Sequence, residues 1–180
     1  MKVYKVNTRA SRGRTGIGTR MSDDLRRRIA ELLAMHTTMT LATIGPDGAP
    51  QAAAVFYAHD DDFHLYFLSE PVTRHGRNVA ADPRVAATIQ ADGQDWQRIC
   101  GLQIEGIVAL VEGAQELAHA IRVYSARFDF LAGLLAGAAE GPRVLIGPLA
   151  RSRFYVLRPS WIRLIDNRVR FGYKEELRLR

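Results

Sequence analysis

The chain has 180 residues, 47% of them hydrophobic, which suits one globular domain with its own core and excludes a disordered chain. A single cysteine, Cys100, excludes an internal disulfide framework, and no apolar run approaches the ~20 residues of a membrane-spanning helix. The net charge of +6 equals the contribution of Lys2, Lys5, Arg9, Arg12, Arg14 and Arg20, which occupy the first twenty residues without an acid, so the rest of the chain is formally neutral.

These features lead us to expect a soluble, cytoplasmic protein with a basic N-terminal arm (residues 1–21) and one domain (22–180). The arm reads as a solubilising tail or a segment crossing to a partner subunit. Nucleic acid is not expected as a ligand, because the body lacks basic residues interleaved with aromatics, and no membrane association is expected.

In chain order, "KVYKV" alternates weakly as a short strand. "SRGRTGIG" is a polar, glycine-rich loop, and its Gly13-x-x-Gly16-x-Gly18 spacing is not that of a dinucleotide fingerprint. Ser22 reads as an N-cap, with Asp23 and Asp24 in the first turn. Leu25, Ile29, Leu32 and Leu33 recur at helical spacing, which predicts an amphipathic helix from Ser22 to His36. The period then changes. "TMTLATI", "QAAAVFYA" and "FHLYFLS" alternate as strands, joined by "GPDGAP", with its Asp47-Gly48 hairpin signal, and by "HDDD". A short helix from Thr73 to Ala81 stops at Asp82-Pro83. "RVAATIQA" is a fourth strand. In the long strand that follows, Gly101 and Gly106 mark a bulge or a close backbone approach. "AQELAHAIRVYSARF" is a helix with Leu117, Ile121, Tyr124 and Phe128 on one face. "LAGLLAGAAEGPR" holds a second short helix, and a closing strand and hairpin end the chain. About six strands, mostly antiparallel, with two or three helices make a mainly β fold, a barrel or sandwich.

Little in the sequence supports common catalytic chemistries. No histidine pair has the i, i+4 spacing of a helical zinc site and there is no cysteine cluster, so no metal is expected. "HDDDFH" reads as a polar turn, with its paired carboxylates solvated. There is no nucleophile elbow. Cys100, between Ile99 and Gly101, reads as a buried small side chain. The segment "SEPVTRHGRNVAADPRV" is different. A strand ends at Ser69 and a helix begins near Thr73, where unpaired N–H groups and the helix dipole suit a phosphate. Thr73 can cap and donate, Arg74 can grip oxygens bidentately, and His75 can donate. Composition alone leaves this open between a phosphate cradle and a solvated turn.

The order "TLATIGPDGAPQAAAVFYA", "LYFLSEPVTRHGRNVAADPRVAATI" and "GLQIEGIVALVEG" resembles the pyridoxamine 5′-phosphate oxidase-like FMN-binding split-barrel superfamily, over roughly Met35 to Val111. The resemblance implies a six-stranded antiparallel split β-barrel and a homodimer with FMN in the groove between subunits. The family's phosphate grip reads Ser/Thr-Arg-Lys and, one short helix later, Asn/Asp-Pro-Arg-Val. Here it stands as Thr73-Arg74-His75 and Asp82-Pro83-Arg84-Val85, with His75 in the lysine's place. By the same resemblance the backbone of Ala52, Ala53, Ala54 and Val55 faces the isoalloxazine, and Ser69 lies near the ring or ribityl chain.

The oxidase itself carries an arginine and a lysine where Ala53 and Ala58 stand, and its Arg-Leu-His-Asp-Arg signature is replaced by Arg163 to Asn167 with Ile165 for the histidine. Pyridoxamine-phosphate oxidase activity is therefore not expected. The resemblance implies a flavin-dependent oxidoreductase or reductase on a small molecule. F420 and haem are the alternative ligands, and a non-catalytic flavin-binding or sensing role is the alternative function. No catalytic side chain is assigned; His75, Tyr57 and Arg163 are candidates. F420 would call on the arm or Arg77 for its acidic tail, and haem on His59, His64 or His119 as axial ligand. Tyr124, Arg127 and Phe128 could line a pocket, with core packing the preferred reading for Tyr124 and Phe128.

Overall fold

The computed structural model describes residues 15–136 and 144–179. Its elements run α1 (Thr15–Met35), β1 (Thr38–Ile44), β2 (Pro50–His59), β3 (Leu65–Ser69), α2 (Arg74–Ala81), β4 (Arg84–Gln90), β5 (Cys100–Leu110), α3 (Ala114–Arg127), β6 (Leu135–Ala136), β7 (Val144–Leu145), β8 (Arg153–Asp166) and β9 (Lys174–Arg178). The main sheet has the order β3-β2-β1-β4-β5-β8-β9, and β3 also pairs with β8, so six antiparallel strands close into a barrel.

Closure depends on the length of β8. Its first five residues pair with β3, and Trp161–Ile165 pair with the extra strand β9, while β5 runs along its other edge. Such a long strand must bend, and the ladder shifts register between Glu105 and Gly106. A Cβ at Gly106 would press on the Arg158 carbonyl and come within 2.9 Å of Pro159 Cα, so only glycine lets the two backbones meet. Gly101 faces the Ile89 carbonyl in the same way, at 2.7 Å from its hypothetical Cβ. The first hairpin turns on Gly48, at φ 78°, where the glycine of Asp-Gly is expected.

Alternation divides each strand between two environments. Met39, Leu41, Val55, Tyr57, Leu65, Phe67, Ile89, Leu102, Ile104, Tyr155 and Leu157 fill the barrel, and Leu25, Ile29, Leu32 and Leu33 of α1 close it. On the other side of β2, β3 and β8, Ala58, Tyr66, Phe154 and Val156 pack under α3 through Ala120 and Tyr124. Phe128 meets Tyr124 at a ring separation of 4.7 Å, so this pair is packing, as the helical spacing suggested.

Several expectations are corrected. The first helix begins at Thr15, seven residues before Ser22, so Ser22 is inside it and "TGIG" is helical rather than loop. No proline interrupts Thr15–Met35, and one capping-type residue cannot stop a helix that the flanking backbone can continue. The strand expected in "KVYKV" and the rest of the arm lie outside the described residues. A 3-10 helix, Asp129–Leu134, stands at the start of the expected second short helix, and the rest of that segment falls largely outside the described residues. Asp60 is not a solvated turn carboxylate: its side chain is 11% exposed and hydrogen-bonded from several directions. Among the described residues no helix is long and apolar enough to cross a membrane.

Candidate functional site

The β2–β3 ladder has only three residue pairs, Tyr57↔Phe67 to His59↔Leu65. Beyond it β2 continues against β1 alone, with Ala52, Ala53, Ala54 and Val55 opposite Ala42, Leu41, Thr40 and Met39. The other edge of these four residues therefore carries main-chain N–H and C=O groups that β3 does not take up. Ala52 and Ala54 are exposed, Ala53 is half-buried and Val55 is buried toward the barrel. Small side chains leave this edge open to approach.

Helix α2 is fixed beside the split. Asn78, 2% exposed, donates through Nδ2 to Thr43 Oγ1 at 2.9 Å and to Gln51 Oε1 at 3.0 Å, tying the helix to β1 and β2. Val79 enters the barrel core. The first turn is capped by Thr73, whose Oγ1 accepts from Gly76 N at 3.1 Å and donates to Glu70 O at 2.8 Å. The Thr73 proton is thus directed into its own turn, so Thr73 shapes the cradle. Gly76 is required there, since a Cβ would lie 2.7 Å from Pro71 O.

Ser69, at the end of β3, brings the rest together: its Oγ lies 3.2 Å from Thr73 Oγ1 and 2.6 Å from His75 Nε2. Burial holds the His75 imidazole below the usual histidine value of about 6.5, so the ring is neutral at pH 7. Arg74 is exposed and forms no ion pair among the described residues. With the unpaired N–H groups of the first helical turn it offers donors and one positive charge to an anion. This donor set fits a phosphate group, and the open β2 edge beside it fits a planar ring bonded through main-chain atoms.

Other sequence candidates fall elsewhere. Arg77 donates to Val72 O at 2.6 Å, and Arg84 pairs with Asp82 at 2.6 Å, holding that carboxyl at about 2. Tyr57 is fully buried and donates to Leu33 O at 2.9 Å, with burial raising its phenol far above the usual value. Arg127 caps the end of α1, donating to Ala34 O at 2.9 Å and His36 O at 2.5 Å. Arg163 lies over the Trp161 ring at 4.6 Å and pairs with Glu176 at 2.7 Å.

His59, His64 and His119 gather around Asp60 at the far end of β3. The Asp60 carboxylate is met by His64 Nδ1, His119 Nε2 and the Tyr66 hydroxyl, each at 3.2 Å, and the His59 ring meets Asp60 O at 3.1 Å. Arg122 bonds His119 Nδ1 at 2.9 Å, which leaves Nε2 to carry the proton donated to Asp60. Among the described residues no group of three potential ligands is arranged to hold a metal ion. Cys100 is buried, takes a 3.1 Å contact from Arg168, and its thiol is pushed up by burial.

The sequence reading missed Asn78, which nothing in the motif marks, and Arg151 and Arg153, which join the turn only through the β3–β8 pairing.

A family model described as pyridoxamine 5′-phosphate oxidase matches residues 25–163. A UPF0306 protein of Photorhabdus laumondii is 26% identical over 146 residues, covering 81% of this chain and 90% of that protein. Among solved structures, a heme binding protein from Mycobacterium smegmatis aligns with a TM-score of 0.64 at 21% identity, over 85% of this chain and 56% of that one, a likeness of fold. An F420 reductase aligns with a TM-score of 0.51 at 25% identity, over 73% of this chain and 93% of that one.

Proposed function

Since the chain belongs to the pyridoxamine 5′-phosphate oxidase family, we propose that it binds FMN at the split between β2 and β3 and acts as a flavin-dependent oxidoreductase or reductase on a small molecule. The observation that carries this reading is the joining of Ser69, Thr73 and His75 by hydrogen bonds at the start of α2, beside the open edge of Ala52–Val55. Arg74 supplies charge to the phosphate. Ser69 and His75 hold the turn and offer neutral hydrogen bonds. The main chain of β2 orients the ring, and bound flavin would supply hydride transfer. Oxidase activity on pyridoxamine phosphate is not part of the proposal, because Ala53, Ala58 and Ile165 stand where the oxidase pattern places charged or titratable groups.

The ring side of this site is open, and a second copy of the chain is the proposed cover. On the outer barrel face, Ala42, Ile44, Pro50, Ala86 and Ile107 line a cleft of about 510 Å³ around Gly106, and Ile107 is 48% exposed. An apolar outer face on an antiparallel barrel suits an isologous dimer. Ile107→Glu should then shift the protein to monomer in sedimentation velocity.

The direct test is a visible spectrum of the purified protein followed by titration with FMN, F420 and haem. Flavin absorption and saturable FMN binding are expected, with Arg74→Ala weakening FMN by about ten- to a hundredfold. A colourless protein that takes up no FMN ends the flavin reading. Preference for F420 or haem in the same titration would replace the ligand. His119 has both ring nitrogens taken up, by Asp60 and Arg122, which makes it a poor axial ligand for haem.

A further inference from the structure

We propose that Arg153, the first residue of β8, is a second cationic anchor for the phosphate group held at the start of α2. This rests on the ligand-binding reading above and extends it to a residue outside the motif. Ser69 and Arg153 are cross-strand partners in the last pair of the β3–β8 ladder, and such partners project to the same face of the sheet. That face is the mouth of the barrel. Farther along the same ladder, Phe67 and Tyr155, then Leu65 and Leu157, lie in the barrel core, while the alternate Phe154 and Val156 pack under α3. The Phe67 and Tyr155 rings stack at 5.3 Å, fixing the strands that carry Ser69 and Arg153. On this face Ser69 Oγ reaches Thr73 and His75, and the Arg153 charge is felt by Tyr155. The register therefore sets Arg153 beside Ser69, on the strand across from it.

The distribution of charge singles it out. Five arginines lie on α2, just past its C-terminal end or at the start of β8. Arg77 folds back on Val72 O, Arg84 pairs with Asp82, and Arg151 pairs with Glu70 at 3.3 Å. Among the described residues Arg74, Arg77 and Arg153 have no carboxylate partner; Arg77 is turned back onto Val72 O at 2.6 Å, within its own turn, and the contact of Arg153 is a longer one, to Ser152 O at 3.0 Å. His75 is neutral and Arg77 is bound to Val72 O, so a phosphate dianion held from α2 alone would meet Arg74 as its one guanidinium not already engaged in the turn. The second comes from β8 and leaves donors over for bidentate contact. Glu70 is the one acid on the turn itself, and Arg151 offsets it.

The test is calorimetric titration of wild type, Arg153→Gln and the control Arg170→Gln, an exposed arginine in the turn between β8 and β9, with inorganic phosphate, FMN and riboflavin, with near-UV circular dichroism to check packing. Arg153→Gln should weaken phosphate and FMN by about tenfold or more, leave riboflavin unchanged, and flatten the salt dependence of FMN binding. Arg170→Gln should change none of these. Arg153→Gln binding phosphate and FMN like wild type would overturn the assignment, as would an equal loss of FMN and riboflavin. If wild type binds phosphate and Arg153→Gln does not, yet neither takes flavin, the Arg153 anchor stands and the flavin reading falls. If wild type binds neither phosphate nor FMN, both fall.

Discussion

The two ends of β3 each carry a histidine-containing polar cluster, and they are finished differently. At the Leu65 end, Asp60 gathers the His64 backbone N–H at 2.9 Å, the His64 and His119 rings and the Tyr66 hydroxyl, and its carboxyl is held below the usual range by these donors against the opposing effect of burial. Donors and acceptor are matched, and the cluster clamps α3 to the barrel. At the Ser69 end, hydrogen bonds among neutral groups shape a turn, while the guanidinium groups of Arg74, Arg77 and Arg153 have no carboxylate among the described residues. The difference separates structure from function. A closed cluster contributes stability, whereas unbalanced charge beside an open strand edge is a place for a ligand. Histidine content alone does not distinguish them.

Substitutions can break this contrast, and urea denaturation reads most of them. The largest effect belongs to Asn78→Leu, which leaves Thr43 and Gln51 without their partner and detaches α2 from the barrel; a loss of about 3 kcal/mol is expected, with FMN binding lost alongside. Asp60→Ala should cost about 2 kcal/mol and leave FMN affinity unchanged. Equal damage to affinity would show that the two ends are coupled. Ser69→Ala should cost about 1 kcal/mol yet weaken FMN, the reverse balance.

Smaller effects come from pH. The His75 carboxamide mimic, His75→Gln, isolates one of them. Burial lowers the His75 imidazole below its unfolded value of about 6.5, so its contribution is present above that pH and is lost as pH falls toward the folded value. The Asp60 carboxyl is lowered too, and its contribution persists to about pH 4 before it is lost in stronger acid. His75→Gln should therefore flatten the stability profile just below pH 6.5 and leave the limb below pH 4 intact. Some slope will remain because His36 is lowered by burial as well. Smallest of all, Arg84→Ala should leave the denaturation midpoint as it is, since the Arg84 side chain is exposed and surface ion pairs contribute little.

Much of this fold was legible along the chain because it rests on local rules. Alternation from Thr38 to Ser69, the Asp47-Gly48 turn, the Thr73 cap and the stop at Asp82-Pro83 each act within a few residues, and each stands in the structure close to its expected place. Gly106 was marked as a bulge for a sound reason, a missing side chain in a strand. The start of α1 was misplaced because Ser22 carries a capping signal that the helix does not use.

For the candidate site, the amino-acid order by itself determined the cradle: Ser69, Thr73 and His75 lie within seven residues, and their grouping needs only a strand end and a helix start. What the tertiary structure decided is which charges count. Arg77 and Arg84 are neighbours in the chain but are taken up by Val72 and Asp82. Arg153 is far along the chain and reaches the cradle because barrel closure pairs β8 with β3. Local backbone preference sets the shape of a turn, but the placing of distant charge depends on strand register, which is settled only when the whole barrel packs.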